Sequence, residues 1–329
     1  MKRTIYYKNR PVIIGASSIA GPKESSGSIA KYIETKLKDD MYSVETFEKA
    51  ECRMLFTVIK NSIINAGKEL DDIDTIISGD LLNQIIASTF AARNFSTGYL
   101  GVYNACATFT EALIIGAGMI DSGYFDNVVC ATSSHFSSAE RQYRYPLELG
   151  CTRPPQAQWT VTGAGASVIS KQGKGPKIMS GTIGKVVDFG VTDANNMGAA
   201  MAAAAADTLY THFMECNIEP EYYDLIITGD LGALGSRILK DLIWEKGLDI
   251  QKQHVDCGEL IYNICEDEYQ GGSGAGCSSL VFNSYIYKKL INKEYNKILL
   301  MATGALLSSV SSQQGDSIPG IAHAVSVES

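Results

Sequence analysis

No two of the eight cysteines form a C-x-x-C pair, and only Cys257 and Cys265 lie fairly close together. Zinc ligands cluster more tightly than this, so no metal site is expected, and no cofactor either. The cysteines read as small buried hydrophobes in a reducing compartment. Basic blocks are also missing. There is no Lys/Arg run and no basic stretch interleaved with aromatics, and the formal net charge is −8. That argues against nucleic-acid binding through the bulk surface. No apolar run is long enough to cross a bilayer: "ALIIGAGMI" is too short, and Asp207 interrupts "MGAAMAAAAADTLY". The start, "MKRTIYYKNRPVIIG", is polar and runs straight into a strand, unlike a secretory signal. The expected location is intracellular, with any membrane association peripheral. The acidic "ELDDID" (69–74) lacks the alternating ligands and turn glycine of a calcium loop and reads as a solvated helix end.

What is present is internal similarity. In 329 residues, 45% are hydrophobic and 19% charged, which suits one large domain or two intimate ones. "RPVIIGASSIAG" (10–21) has the shape of "GPKIMSGTIGKV" (175–186), and "DDIDTIISGDLLNQ" (71–84) recurs as "EYYDLIITGDLGAL" (221–234). Asp80 to Asp230 is an offset of 150, while Cys106 to Cys277 and "CAT" (130–132) to "MAT" (301–303) are both offset by 171. The near-continuous apolar runs "TIISG", "LIITG" and "NVVCA" predict fully buried strands alternating with helices. The expected fold is therefore α/β, built from two duplicated halves, 1–172 and 173–329. They join at the Gly- and Lys-rich "SKQGKGPK" (170–177).

The stretch "GVYNACATFTEALIIGAG" (101–118) places Cys106 where an extended segment turns into a small-residue helix. Free N–H groups and the helix dipole would lower the thiol pKa there and could stabilise an oxyanion. Alternatively, the small residues only allow tight backbone packing. Cys277, at the equivalent elbow of the second half, leaves simple inheritance by duplication open.

A duplicated α/β unit with a cysteine in an "ACATF" elbow and a Gly-rich "GGSGAG" in the second half resembles the thiolase fold, in its ketoacyl-synthase branch. The resemblance implies an α-β-α-β-α layering, an acylated elbow cysteine, and a histidine with a second His or Asn as its helpers. The chain departs at both helper positions. Gly229 and Asp230 stand where those enzymes place their histidine, and Gly271, Gly272 and Ser273 where they place their asparagine. Only four histidines exist to replace them. His212 and His254 read as packing or structural residues, so condensation, which needs paired donors, is not expected.

Two longer segments, 133–166 and 186–208, resemble the stage V sporulation protein AD family. That resemblance implies binding of dipicolinic acid, with or without calcium, for its uptake into the forespore and release in germination. It also implies other SpoVA proteins as partners and association with the spore inner membrane, while the thiolase resemblance implies a homodimer formed through the first half. Dipicolinate is a flat aromatic dianion, which calls for guanidinium groups and an aromatic or apolar face. His135, Arg141, Arg144 and Arg153, interleaved with Tyr143, Tyr145 and Trp159, offer these, or else interface salt bridges. The expected ligand contacts are Cys106, His135, Arg141, Arg144, Asn195, Asp230, Gly272 and Ser273. Asn195 or Asn196 also suits the N-cap of the helix that follows. Two rival readings stay open: an acyltransferase using Cys106 with His135 as an unorthodox base, and a structural subunit with a vestigial pocket.

Overall fold

The computed structural model describes residues 2–144, 146–262 and 269–329. Tyr145 and Cys265 lie outside the described residues. The first part of the chain forms β1 (Thr4–Tyr6), β2 (Val12–Ala20), β3 (Thr35–Lys36), α1 (Phe47–Asn65), β4 (Thr75–Gly79) and α2 (Ile86–Ala92). It continues through β5 (Gly98–Gly101), α3 (Thr108–Asp121), β6 (Asn127–Ser134), α4 (Phe136–Tyr143), β7 (Trp159–Thr160) and β8 (Gly163–Ser170). The second part forms β9 (Lys177–Thr182), α5 (Met197–Cys216), β10 (Leu225–Thr228), α6 (Gly232–Trp244), β11 (His254–Asp256) and α7 (Cys257–Ile261). It ends with β12 (Gly272–Ser273), α8 (Ala275–Val281), a π-helical turn at Phe282–Ile286, α9 (Tyr287–Ile291), β13 (Lys297–Ala305), α10 (Ser309–Gln313) and β14 (Gly320–Glu328).

The main path of the sheet runs β11-β10-β13-β14-β9-β2-β8-β6-β4-β5. Outward from the β2/β9 contact, the orders β2-β8-β6-β4-β5 and β9-β14-β13-β10-β11 correspond strand for strand. The pairing senses agree as well: antiparallel, antiparallel, parallel, parallel on each side. β2 and β9 themselves meet in one antiparallel pair, Val12 with Lys177.

Alternate residues of the buried strands feed different layers, because side chains switch face at every residue. Ile77, Val128, Ile227 and Leu300 pack on Phe109, Leu113 and Phe282 of the middle helices. Ile76 and Val129 pack with Met54 and Val58 of α1, while Ile226 and Met301 pack with Leu209 and Phe213 of α5. Three apolar clusters between and outside two sheet faces give the expected layering. Each fully buried large side chain contributes about 1.5–3 kcal/mol.

α5 starts at an N-cap formed by Asn196, whose side chain accepts the Ala199 N–H at 3.4 Å. Its run Ala202–Ala206 is buried, and α6 approaches it closely where Gly198 meets Gly235. The segment 69–74 closes as a 3₁₀ turn with reciprocal Glu69 and Asp72 caps. No helix among the described residues is long and apolar enough to cross a membrane.

Candidate functional site

The elbow between β5 and α3 is fixed locally. Ala105 adopts a left-handed backbone (φ 50°), uncommon for a residue with a side chain. Thr108 holds the turn: its hydroxyl donates to the Ala105 carbonyl at 2.6 Å and accepts the Asn104 N–H at 3.0 Å. From the other half, β13 passes so close that a Cβ on Gly304 would lie 2.4 Å from the Asn104 oxygen. The thiol of Cys106 is thereby held, buried, at the seam between the halves.

Asp230, following β10, meets it there. One carboxyl oxygen accepts the Thr303 hydroxyl at 2.7 Å, the other accepts the Gly274 N–H at 3.1 Å, and the carboxyl lies beside the thiol. Gly274 reaches this position with φ 112°, where a Cβ would lie 2.6 Å from Ser134 Oγ. Burial raises the Asp230 pKa to about 6. Burial first, and then the Asp230 carboxyl, push the Cys106 thiol well above its ordinary value. The thiolate expected from the helix N-terminus is overridden. A helix end is worth about 0.3–1 kcal/mol at an exposed site, whereas full burial shifts a pKa by several units.

Cys106 lines a cleft of about 430 Å³ together with Arg144, Thr160 and Ser273, apolar Leu81, Met197 and Leu307, and the rings of Tyr103 and Tyr143. Arg144 ends α4 and is almost fully buried. It is ion-paired to Glu140, which Arg153 also holds at 3.0 Å, and its Nη2 lies 3.9 Å from Met197 Sδ. The two tyrosine hydroxyls are 3.2 Å apart.

Of the sequence-predicted contacts, the structure brings Cys106, Arg144 and Ser273 to the cleft and sets Asp230 behind the thiol. Gly272 lies in the β7–β12 pairing beside it, its carbonyl accepting Gln158 Nε2 at 3.1 Å. Three residues lie elsewhere. His135 is the N-cap of α4: its Nδ1 accepts the Ser137 N–H at 3.2 Å and its Nε2 bonds the Asp40 carbonyl at 2.8 Å. Both ring nitrogens are thus engaged away from the thiol, and burial lowers the ring's pKa. Arg141 pairs with Glu48 at the surface. Asn195 donates to Asp193 and lines a neighbouring cleft.

Cys277 also departs from expectation. α8 begins at Ala275, so this thiol sits inside the helix and donates to the Gly229 carbonyl at 3.3 Å instead of marking an elbow. Cys130 and Cys257 are buried as expected, but Cys151 is exposed and Cys52 and Cys216 are half-buried. His212 is a packing residue between Thr182 and Tyr223, each at 2.7 Å, and His254 bonds the Thr228 hydroxyl at 3.0 Å.

Sequence reasoning missed Thr303, Gly274, Glu140 and Met197. For Thr303 a signal existed: it lies near the end of the strand running parallel to β10, and sites in open α/β sheets gather at such strand ends.

A family model described as stage V sporulation protein AD matches residues 1–328. The stage V sporulation protein AD of Bacillus subtilis (strain 168) is 40% identical over 328 residues, spanning 99% of this chain and 97% of that protein. Among solved structures, a variant of OleA from Xanthomonas campestris aligns at a TM-score of 0.63 with 14% identity, over 99% of this chain and 98% of that one. The 3-oxoacyl-[acyl-carrier-protein] synthase III of Aquifex aeolicus VF5 aligns at 0.57 with 14% identity, over 97% and 100%. At this identity these enzymes share the fold alone, a thiolase-like one.

Proposed function

The chain belongs to the stage V sporulation protein AD family, and from that premise we propose that it is a non-catalytic binding protein for dipicolinic acid, free or as its calcium chelate. It serves dipicolinate uptake into the forespore and its release in germination, acting with other SpoVA proteins at the spore inner membrane. One observation carries the non-catalytic part. The Cys106 thiol is held protonated against Asp230, and no histidine lines the cleft among the described residues. A nucleophilic thiol needs a base or a lowered pKa, and this environment works against both.

The binding part is supported by the character of the cleft. An almost fully buried guanidinium, Arg144, and the hydroxyls of Thr160 and Ser273 meet apolar and tyrosine walls in this cleft. A carboxylate meeting Arg144 would find a charge-assisted donor in low dielectric. The proposed homodimer would form through the first half, where edge strand β5 ends the sheet and Leu100 and Tyr103 are exposed.

Calorimetric titration with dipicolinate, with and without equimolar calcium, tests the reading. Wild type should give saturable binding and Cys106→Trp, folded but with its elbow filled, should not. Absence of binding by wild type in both forms would sink it.

A further inference from the structure

Beside the Cys106 cleft lies a larger one, of about 1010 Å³, between the end of α4, the 146–159 segment and the start of α5. The two share the side chain of Arg144. The outer cleft has a second guanidinium, Arg153, whose Nη1 pairs with Glu140 at 3.0 Å and whose Nη2 donates to the Gln158 carbonyl. Its Nε is buried with no partner among the described residues. Arg153 also lies over the stacked rings of Phe136 and Trp159, 5.5 and 5.2 Å from their centroids, and those rings are parallel at 3.9 Å.

Among the described residues the charges here do not balance. Two guanidinium groups face one carboxylate, Glu140, and no other acid lines the outer cleft among the described residues. A buried donor left unmade and a cation without a full counter-ion are both unfavourable. An anion supplied from solution would add the missing counter-charge.

We propose that the outer cleft is a second ligand site, separate from the Cys106 cleft, that takes a small carboxylate anion on Arg153. The aromatic wall suits a planar acid, and the surrounding −8 protein makes this local positive charge a focus for anions. The site does not require the inner cleft to bind anything.

Trp159 reports on it directly. The chain has two tryptophans, and the other, Trp244, is exposed at the end of α6. With Trp244→Phe as background, dipicolinate is titrated while Trp159 emission is followed, with Cys106 intact and with Cys106→Phe blocking the inner cleft. The expected result is a saturable emission change that persists in the blocked variant. Arg153→Gln should weaken it by about tenfold or more. Arg153 also braces Gln158, so Asn195→Asp, which adds a carboxylate to the same cleft with almost no change of shape, provides a second test and should weaken it too. A silent Trp159 in both backgrounds overturns the second site, and so does a change abolished by Cys106→Phe. Calorimetric heat lost with Cys106→Phe while Trp159 stays silent overturns this site and leaves the inner-cleft function standing. A retained Trp159 response without any Cys106-dependent heat does the reverse.

Discussion

Asp230 and Cys106, 124 positions apart in sequence, are set against each other across the seam between the two halves of the fold. The aspartate sits at the end of β10 and the cysteine at the elbow before α3. The carboxyl is fixed by Thr303 and Gly274, so the thiol faces an acceptor that cannot turn away. A carboxylate beside a buried thiol makes loss of its proton harder by charge repulsion as well as by desolvation.

The first consequence is low thiol reactivity. At pH 8, iodoacetamide should label Cys106 at least about tenfold more slowly than the exposed Cys151, followed by peptide mass spectrometry. Asp230→Asn should accelerate labelling of Cys106, since it removes the charge while keeping the shape. Fast labelling of Cys106 in the wild type would instead mark a working nucleophile.

Arg144 makes the second case. If dipicolinate meets this guanidinium in the inner cleft, Arg144→Gln removes a charge-assisted contact worth about 1.5–3 kcal/mol. Calorimetry should then show affinity reduced by about tenfold to a hundredfold. Glu140→Gln acts in the opposite direction, because it removes the internal carboxylate that competes for Arg144. Unchanged affinity in both variants would place the ligand elsewhere.

A third prediction concerns pH. Glu24 follows β2, fully buried, accepting the Thr162 N–H at 3.0 Å and the Tyr262 hydroxyl. Burial raises its pKa from 4.5 to about 7. The folded protein thus binds more protons than the unfolded chain between these values. The carboxyl's contribution is full below about pH 4.5 and is lost as pH rises through 7. Relative to Glu24→Gln, the wild type should lose stability from pH 5 to pH 8, by about 3 kcal/mol at the upper end. Denaturant melts of both proteins across that range measure the difference. A constant difference would mean that Glu24 does not titrate there.

Much of this arrangement was legible in the sequence because duplication leaves local traces. The Gly-Asp pairs at 79–80 and 229–230 mark the ends of β4 and β10, and the offset of 171 aligns β6 with β13. Buried strands declare themselves through apolar runs, which burial on both faces requires. The site was only half legible. Cys106 and Asp230 stood out as motif positions, but His135 looked near the thiol because it follows a strand end, and sequence distance carries no side-chain direction. Its ring turns to the Asp40 carbonyl, a partner 95 positions away. Cys277 misled for a related reason. The residue alignment holds, but α8 starts earlier relative to it than α3 does to Cys106. Glu140, flanked by two arginines in space, reads in sequence as an ordinary helical charge.

The small residues of α5 and α6 support a final prediction that links packing to the cleft. Where these helices cross, a Cβ on Gly235 would lie 2.8 Å from the Gly198 oxygen and 3.0 Å from its Cα, and all of these are backbone atoms that cannot swing aside. Gly235→Ala should therefore destabilise the protein by about 1–3 kcal/mol, the usual cost of overpacking. It should also push back the start of α5, where Met197 walls the inner cleft, and so weaken dipicolinate binding. Gly118→Ala is the control. This glycine lies inside α3 with open space where its Cβ would go, so the substitution should stabilise by about 0.5–1 kcal/mol through helix propensity alone. Equal effects of the two substitutions in denaturant melts would mean that α5 and α6 are not in backbone contact.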